Sequence, residues 1–327
     1  MKLCGAPGGD VRSPTKIRCG LDFYLNGRKI ERFYVSLYSK IIADMSSDLK
    51  ILITNDDGFD AKGISVLAGI MRQFGSLTVI APKRAQSGMS MAVTMGGAPL
   101  ALKKLSSDEN ERWFYLDASP ASCVKYGLDN VFWPEKPDVV ICGINHGSNA
   151  ATAANYSGTL GAAEEAALNG VPGIGVSLET TDPDADFSSV VRYFPGIFRK
   201  LMSDLPERAG IFYNVNFPSP SLPQVRGVRV GHMGTGHWEK EFCRWTPEAA
   251  AIRANSSENP GWPLFEEGEE LLMMVGEFVD DTPESDILAD HHIIRDGYVA
   301  VTAHNFDNGD PVEAGRLSAN GFDEDFQ

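Results

Sequence analysis

The chain has 327 residues, of which 43% are hydrophobic and 22% charged, and these proportions predict a soluble globular protein with a substantial core. No apolar run approaches the ~18 residues that a membrane span requires, so a membrane partner is not expected. The formal net charge of −15 argues against binding to duplex nucleic acid, because such surfaces are normally basic. An anionic substrate remains compatible with this charge, since a bound metal can reverse the field inside a pocket.

Cysteine usage predicts a cytoplasmic protein with reduced thiols. The five cysteines are odd in number, scattered and not in Cys-x-x-Cys spacing, which fits neither a disulfide framework nor a zinc site. Cys142 lies within an apolar run and is expected to be a small buried side chain rather than a nucleophile. The other four are Cys4, Cys19, Cys123 and Cys243.

The first 44 residues carry an excess of Lys and Arg, whereas the remainder of the chain is strongly acidic. No apolar h-region follows the early charges, so this segment lacks the layout of a signal peptide. Met45 stands shortly before the first clear strand. We interpret Met45 as the natural start and residues 1–44 as an over-extended reading frame; a targeting or docking arm is the alternative.

The first elements after this segment form a strand–helix–strand unit. An apolar run at Leu49–Thr54 predicts a buried strand that stops abruptly at Asn55–Gly58, whose sequence is Asn-Asp-Asp-Gly. Apolar residues at helical spacing then predict a helix over Lys62–Gly75, with Gly75 as its C-cap, and Leu77–Ala81 predicts a second buried strand. The crossover of such a unit is expected to be right-handed, with parallel strands.

Strands and helices alternate as far as residue 218, which predicts an α/β protein with a three-layer αβα, Rossmann-like fold around a mostly parallel sheet. One clear helix start is Ser119 as N-cap followed by Pro120 at the first helical position. The remaining predictions are an exposed strand pair at Pro99–Leu105 and Arg112–Leu116, buried strands at Pro137–Asn145, Val171–Leu178 and Ile211–Phe217, and helices opening at Ser157 and spanning Phe187–Leu201.

Beyond residue 218 the pattern changes to separate β segments, predicted at Val225–His232, Met273–Phe278 and Gly297–Thr302. Between the first two lies a long Trp-rich stretch without clear periodicity, and a loop of that length usually has a function. We therefore predict three parts: residues 1–44, a core over 45–220 that binds metal and phosphate, and a β-rich extension over 221–327 that serves as a lid and in oligomerisation.

Four loops carry oxygen-bearing side chains, and each follows a predicted parallel strand or opens a helix. Because the carboxyl ends of parallel strands meet at one edge of a sheet, we expect these loops to converge there. Two adjacent carboxylates ionise together most easily beside a cation, and ligand sets of oxygen alone favour Mg²⁺, Mn²⁺ or Ca²⁺ over Zn²⁺. The alternative is that the first loop is simply a polar turn. The four loops are Asn55–Gly58, Ser87–Ser90, Gly143–Asn149 and Ser157–Thr159.

The turn Ser157–Thr159 is suited to phosphate, because it opens a helix whose free backbone N–H groups and dipole face an anion. A divalent cation beside such an anion site can catalyse hydrolysis of a phosphoryl ester, since the metal polarises a phosphoryl oxygen and lowers the pKa of a bound water. A hydroxyl-rich turn on its own is more often a connecting turn without a binding function. The prediction therefore depends on all four loops lying at equivalent places.

The residues of these loops resemble the SurE family of 5′(3′)-nucleotidases, also called survival protein SurE or stationary-phase acid phosphatases. The Asn-Asp-Asp-Gly motif at Asn55–Gly58 and the Gly-Ile-Asn-x-Gly-x-Asn motif at Gly143–Asn149 carry most of the specificity. The similarity follows the family's order over about 49–307. The matching stretches are Ile51–Ile64, Val79–Gly88, Pro137–Asn149 and Tyr156–Ala163, with weaker similarity at 214–218, 234–237, 285–286 and 297–302.

The resemblance implies hydrolysis of nucleoside 5′(3′)-monophosphates with one divalent metal ion per subunit, expected to be Mg²⁺ or Mn²⁺. It implies that the metal is held by Asp56, Asp57, Ser87 and Asn145. It also implies a homodimer or homotetramer in which segments after about residue 220 are exchanged or packed between subunits. The residues that would line the phosphate are Asn55, Gly88, Asn149, Ser157, Gly158 and Thr159.

Asp56 and Asp57 are the predicted catalytic residues, one of which would orient or deprotonate the attacking water. An aspartyl-phosphate intermediate is the alternative, since carboxylates do serve as nucleophiles. Direct attack by water is preferred, because the loops contain no spare general base or second-site lysine.

Two departures from the family pattern bear on turnover. Met91 stands where the family usually has Asn, and Ala118–Cys123 replaces a Gly-Thr-Pro-x-Asp-Cys motif. A nucleotide-binding regulatory protein with little turnover is therefore one alternative. A metal-dependent deacetylase is another, although it normally uses histidine ligands for zinc, which these loops are not expected to supply. His146 could contact substrate or be a solvated loop residue, and His291 and His292 are expected to be packing or surface residues.

Overall fold

The computed structural model describes residues 24–25, 28–29, 49–180, 182, 184–222, 224–246, 266, 268–321 and 323. The chain divides into two units, Met1–Ser46 and Ser47–Gln327. In the first unit, two short antiparallel strands are described, β1 (Tyr24–Leu25) and β2 (Arg28–Lys29). The predicted boundaries at residues 44 and 220 stay predictions, and Cys4 and Cys19 lie outside the described residues.

The second unit alternates strands and helices in the order that the sequence predicts. Its strands are β3 (Leu49–Thr54), β4 (Gly75–Pro82), β5 (Leu102–Ser107), β6 (Glu111–Leu116), β7 (Val139–His146), β8 (Gly173–Leu178), β9 (Ile211–Phe217), β10 (Val228–Gly231), β11 (Gly236–Glu239), β12 (Phe242–Arg244), β13 (Leu272–Met274), β14 (Glu277–Asp280) and β15 (Val299–Asn305). Its α-helices are α1 (Lys62–Met71), α2 (Pro120–Tyr126), α3 (Gly158–Leu168), α4 (Ser188–Ser203), α5 (Asp290–Arg295) and α6 (Pro311–Ala319).

Nine of these strands form the central sheet, in the order β10-β15-β9-β8-β7-β3-β4-β6-β5. The strands from β9 to β6 in this order are parallel to their neighbours, so that Ile51 on β3 lies between Val139 on β7 and Leu77 on β4. Antiparallel pairing occurs where β15 meets β9 and where β5 meets β6. The prediction of a mostly parallel sheet is confirmed, and β10 and β15, from the region after residue 220, belong to it.

Helices cover both faces of the sheet, which gives the predicted three layers. Successive side chains of a strand point to opposite faces. Accordingly Ile51 and Ile53 pack in one apolar cluster with α1 and α4, whereas Leu52 packs in a second cluster with α2 and α3. Cys123 and Cys142 are buried and free in the second cluster, and burial raises the pKa of both thiols, so neither is a thiolate nucleophile.

Two details of the chain differ from the sequence prediction. Gly75 is the first residue of β4 rather than the cap of the preceding helix, which ends at Met71. The segment predicted as one strand at Met273–Phe278 is two strands, β13 and β14, because Gly276 between them has a positive φ of 109° that turns the chain.

The two halves of that segment pair separately. β13 is antiparallel to β12, and β14 is antiparallel to β11, so that two short ribbons stand beside the central sheet. Among the described residues, no helix is long and apolar enough to cross a membrane.

Candidate active site

Asp56 follows β3 and is 3% exposed, which makes it one of the few buried carboxylates of the core. Thr159, in the first turn of α3, donates its hydroxyl to Asp56 Oδ1 at 2.6 Å and its backbone N–H to Oδ2 at 3.2 Å. Even so, burial and the neighbouring Asp57 raise the pKa of Asp56 to about 7. The two donors and the helix N-terminus therefore do not fully stabilise the ionised form of Asp56. A bound cation would supply the missing positive charge.

Asp57 faces the end of β7. Its Oδ2 lies 3.3 Å from the backbone nitrogen of His146 and 3.4 Å from His146 Nδ1. The His146 ring is fixed from its other side by an edge contact with Phe187, at 5.2 Å between ring centroids. The sheet order brings β7 beside β3 and so sets the His146 imidazole against Asp57, while the expectation that these loops supply no histidine ligand for zinc stays a prediction.

The other two predicted metal ligands come from neighbouring loops. Asn145 precedes His146 on β7 and donates its amide nitrogen to the Gly147 carbonyl at 2.9 Å, which leaves the amide oxygen available as a ligand. Ser87 is exposed, and the residue before it, Gln86, donates its backbone N–H to the Asp56 carbonyl at 2.6 Å. The structure thus brings the loops of all four predicted ligands to one edge of the sheet.

The residues of this edge fit an oxygen-ligated divalent cation. Asn55 donates its amide nitrogen to the Gly58 carbonyl at 2.7 Å, but its buried Oδ1 has no hydrogen-bond partner within the described part of the chain. Buried acceptors without a partner are rare in folded proteins. Carboxylate, carboxamide and hydroxyl oxygens are also the donor set that Mg²⁺, Mn²⁺ and Ca²⁺ favour.

Close packing at Gly158 holds α3 against Asp56. A Cβ atom added at Gly158 would lie 3.0 Å from both Cβ and Oδ2 of Asp56 and 3.2 Å from the Gln86 carbonyl oxygen. Contacts of that length are tighter than ordinary van der Waals packing, so only glycine lets the helix start this close to the carboxylate.

The predicted phosphate-lining side chains differ in how free they are. Ser157 is the N-cap of α3 and accepts the Leu160 N–H at 3.1 Å, which leaves its own O–H free to donate to an anion. The Thr159 hydroxyl already donates to Asp56 and has no second proton for a phosphate. Gly88 is exposed, with a positive φ of 73° and open space around it.

Asn149 is buried in a polar network rather than open to the edge. Its amide nitrogen donates to Ser177 at 2.9 Å, its backbone N–H donates to Asn216 Oδ1 at 2.8 Å, and its carbonyl accepts from Asn214 at 2.7 Å. These three partners were not predicted, although Asn214 and Asn216 lie in a stretch with weak family similarity. Their contacts show Asn149 fixing the loop after β7.

The loop that carries Ser87 is attached to the start of α3. Ser90 donates its backbone N–H to the Tyr156 carbonyl at 3.0 Å and its hydroxyl to the Asn155 carbonyl at 2.8 Å. Ser122 stands where the family motif has Asp. Its hydroxyl accepts the Thr94 N–H at 2.8 Å and so holds the chain that follows the Ser87 loop.

Comparison with known proteins agrees with this geometry. Residues 51–240 match the family model described as survival protein SurE. The 5′-nucleotidase SurE of Christiangramia forsetii is 34% identical over 260 residues, which span 79% of this chain and 91% of that protein. The 5′-nucleotidase SurE of Phocaeicola vulgatus is 36% identical over 258 residues, again 79% and 91% of the two chains.

A solved structure extends the similarity to the fold. The crystal structure of the SurE protein from Aquifex aeolicus is 25% identical, covers 83% of this chain and 98% of that one, and superposes with a TM-score of 0.64. The family model matches more than half of the chain, and the two relatives exceed 30% identity over most of their own length. The predicted resemblance is confirmed: this chain belongs to the survival protein SurE family.

Proposed function

We propose that this chain hydrolyses nucleoside 5′(3′)-monophosphates to nucleoside and phosphate, with one divalent cation, Mg²⁺ or Mn²⁺, held by Asp56, Asp57, Ser87 and Asn145. The relatives from Christiangramia forsetii and Phocaeicola vulgatus are named 5′-nucleotidases. The observation that carries the proposal is the convergence of β3, β7 and α3 on two adjacent carboxylates, of which one is buried with a raised pKa.

The two carboxylates have different environments and therefore different roles. Both oxygens of Asp56 are bound by Thr159, so this side chain is held in one orientation and serves as a fixed ligand. The side chain of Asp57 is more open, with 19% exposure, so it is the carboxylate that can accept a proton from an attacking water. The cation, when bound, would polarise a phosphoryl oxygen and lower the pKa of that water.

The N-terminus of α3 forms the binding site for the phosphate. The Ser157 hydroxyl retains a proton to donate, and the positive end of the helix dipole faces the same edge. Donors that are already in place when negative charge develops on the phosphoryl oxygens stabilise the transition state without reorganisation. Asn149 acts here by fixing the loop after β7, because its amide nitrogen and its backbone N–H already donate to Ser177 and Asn216.

Direct attack by water is the preferred pathway over an aspartyl-phosphate intermediate. Both oxygens of Asp56 accept a hydrogen bond from Thr159, which weakens them as nucleophiles but leaves lone pairs for a metal ion, whereas Asp57 is the candidate proton acceptor. Rapid-quench kinetics with labelled nucleotide distinguishes the two pathways. A burst of product with a trapped phospho-aspartate at Asp57 would contradict direct attack.

Phosphate release from AMP, GMP and a generic aryl phosphate, with and without Mn²⁺ or Mg²⁺, tests the activity. We expect metal-dependent release that Asp56→Asn lowers by more than about 100-fold, because a metal ligand is lost. Asp60→Asn is the matched control, since Asp60 is an exposed carboxylate of the same loop. No release with any metal would overturn the proposal.

The same assay separates the two alternatives. Binding of AMP without release would favour a regulatory protein, which the departures at Met91 and Ser122 motivate. Acetate release from an N-acetylated substrate with Zn²⁺ would favour a deacetylase, for which His146 now offers a histidine beside Asp57.

We also propose that the chain assembles as a homodimer or homotetramer through the region after residue 220, and that it works in the cytoplasm. Phe242 on β12 and Leu272 and Met274 on β13 are 55–65% exposed on a two-stranded ribbon, an arrangement that is marginal on its own in water. Sedimentation equilibrium measures the assembly directly. A monomer at micromolar concentration would contradict this part of the proposal.

A further inference from the structure

A second cluster of ligand-type side chains lies where β14 ends, next to α5. Asp280 Oδ2 lies 2.9 Å from Nε2 of His291 and 2.9 Å from Nε2 of His292. The centroids of the two imidazole rings are 4.2 Å apart, and one ligand atom from each of the three residues lies within 4.8 Å of the others. The expectation that both histidines serve only packing or surface roles does not account for this convergence.

Hydrogen bonding fixes the proton on the His292 ring. Its Nδ1 lies 2.9 Å from the backbone carbonyl of Asp286, and because a carbonyl only accepts, Nδ1 carries the hydrogen. The neutral ring then presents the lone pair of Nε2 to a carboxylate oxygen of Asp280 at 2.9 Å. Two acceptors at that distance repel, so a cation is required between them: a second proton on the ring or a metal ion.

The His291 ring brings a second imidazole nitrogen to the same point. Both of its nitrogens are buried and have no hydrogen-bond partner among the described residues, although Nε2 is close to Asp280 Oδ2. One divalent metal ion would bind the Nε2 atoms of both rings and the Asp280 carboxylate together.

We propose that Asp280, His291 and His292 form a second cation site, selective for a divalent transition metal such as Zn²⁺. Two imidazoles and one carboxylate suit Zn²⁺, Co²⁺ or Ni²⁺, whereas Mg²⁺ and Ca²⁺ prefer oxygen ligands alone. Three protein ligands leave a fourth position for water, and the Asp280 side chain is 31% exposed. The site is chemically distinct from the oxygen-only set at Asp56 and Asp57.

The surroundings of the cluster have the supporting contacts that metal ligands need. The carbonyl of Asp286 orients the His292 ring, and the Thr282 N–H donates to Asp280 Oδ1 at 2.8 Å, which aims Oδ2 at the histidines. Contacts of this kind fix the tautomer and the direction of a ligand, and their loss typically costs about 10–100-fold in metal affinity.

The position of the site gives it a structural role. Asp280 ends the β11–β14 ribbon, so a metal bound there would fasten this ribbon to α5. Asp290, next to His291, is fully buried and accepts the N–H groups of Ala151 and Gly234, each at 3.0 Å. Ala151 lies two residues after Asn149, so the second site is joined to the loop that carries Asn145.

Metal titration of the full-length chain tests the proposal. The Asp56→Asn variant is used as background, so that binding at the first site does not mask the second. After chelation and dialysis, we expect one equivalent of Zn²⁺ or Co²⁺ to bind by calorimetry, with the visible absorption of tetrahedral Co²⁺ and with no competition from millimolar Mg²⁺. Zn²⁺ is also expected to raise the melting temperature of this variant.

His291→Asn in the same background is expected to lower the affinity for Zn²⁺ by more than about 100-fold, since a ligand is lost rather than a supporting contact. His237→Gln is the matched control, because His237 pairs with an exposed Asp281 at 2.7 Å beside the cluster but outside it. Retention of tight binding in His291→Asn, or equal loss in His237→Gln, would overturn the proposal.

X-ray absorption of the Zn²⁺-loaded protein carrying Asp56→Asn keeps the test independent of variant folding. Scattering from two imidazoles is expected in the first shell around zinc. A shell of oxygen alone, or no bound zinc after dialysis, would show that the cluster holds protons rather than a metal.

Discussion

Thr159 and Asp56 are joined by two hydrogen bonds, from the side-chain hydroxyl to Oδ1 at 2.6 Å and from the backbone N–H to Oδ2 at 3.2 Å. Helix α3, which the sequence suggests for phosphate binding, therefore uses the N–H and O–H donors of Thr159 to bind a carboxylate of the protein itself. This arrangement fixes the direction of Asp56 toward the proposed cation, and it makes Thr159 a positioning residue rather than a ligand of the substrate.

Thr159→Val keeps the shape of the side chain and removes the hydroxyl. We expect the affinity for Mn²⁺ to fall by about 10–100-fold, because a hydrogen bond to an ionised group contributes about 1.5–3 kcal/mol. Calorimetric titration with Mn²⁺ measures this loss. Thr159→Ser retains the donor and is expected to bind Mn²⁺ almost as well as the natural chain; equal losses in both variants would contradict the role of the hydroxyl.

Metal-free protein is expected to lose stability as the pH rises from about 4 to about 7. Burial and Asp57 raise the pKa of Asp56 from 3.8 to about 7 in the folded state, so between these values the folded chain binds more protons than the unfolded chain. The free energy of unfolding then falls with rising pH. Urea unfolding across this pH range in the presence of a chelator measures the slope.

Asp56→Asn removes that contribution and is expected to flatten the slope, so that the metal-free variant is more stable than the natural chain at pH 8. Glu207→Gln, which removes an exposed carboxylate, is the matched control, and an equal change of slope in it would contradict the assignment to Asp56. An unchanged slope in Asp56→Asn would mean that Asp56 is already ionised in the folded, metal-free chain.

Gly158→Ala tests the close approach of α3 to Asp56. The added Cβ would lie 3.0 Å from Asp56 Oδ2, so we expect the carboxylate or the helix start to shift and the phosphatase activity to fall at least about tenfold. Activity assays and thermal melts measure both effects.

Gly196→Ala is the matched control within α4, where an added Cβ meets nothing within 4 Å. Because alanine favours a helix over glycine by about 1 kcal/mol, this variant is expected to be more stable and equally active. Full activity in Gly158→Ala would show that the site tolerates a displaced helix start.

The ion pair between α2 and α3 is expected to matter for stability more than a surface pair. Lys125 Nζ lies 2.8 Å from Glu165 Oε1, and the Glu165 side chain is only 1% exposed. Lys125→Met leaves a buried carboxylate without its cation, and we expect a loss of about 1–3 kcal/mol in the free energy of unfolding, discounted because Lys125 itself is partly exposed.

Lys50→Met is the control for this substitution, since Lys50 and Glu135 are both exposed. Its effect on the free energy of unfolding is expected to be much smaller than that of Lys125→Met. The double variant Lys125→Met with Glu165→Met should recover much of the lost stability, because no buried charge remains. Chemical denaturation of the natural chain, the two single variants and the double variant measures these free energies of unfolding.

Local sequence patterns determined the elements of this protein. Apolar runs predicted the strands β3, β4, β7, β8 and β9, and the N-caps Ser119 and Ser157 marked two helix starts that the structure contains. These signals are readable because each depends on residues a few positions apart: the twofold period of a strand, the 3.6-residue period of a helix and the chemistry of a cap. The carboxyl-edge rule then grouped the four loops.

Only the tertiary structure decided which atoms of those loops meet. Thr159 and Asp56 are 103 positions apart in the chain, and His146 and Asp57 are 89 apart, so their pairing depends on the order of strands in the sheet. The same holds for Asp280 and the two histidines, which lie on separate elements, β14 and α5, and meet only in the folded chain. The sequence determined which ligand-type side chains are available, and the order of strands in the sheet determined which of them lie in contact.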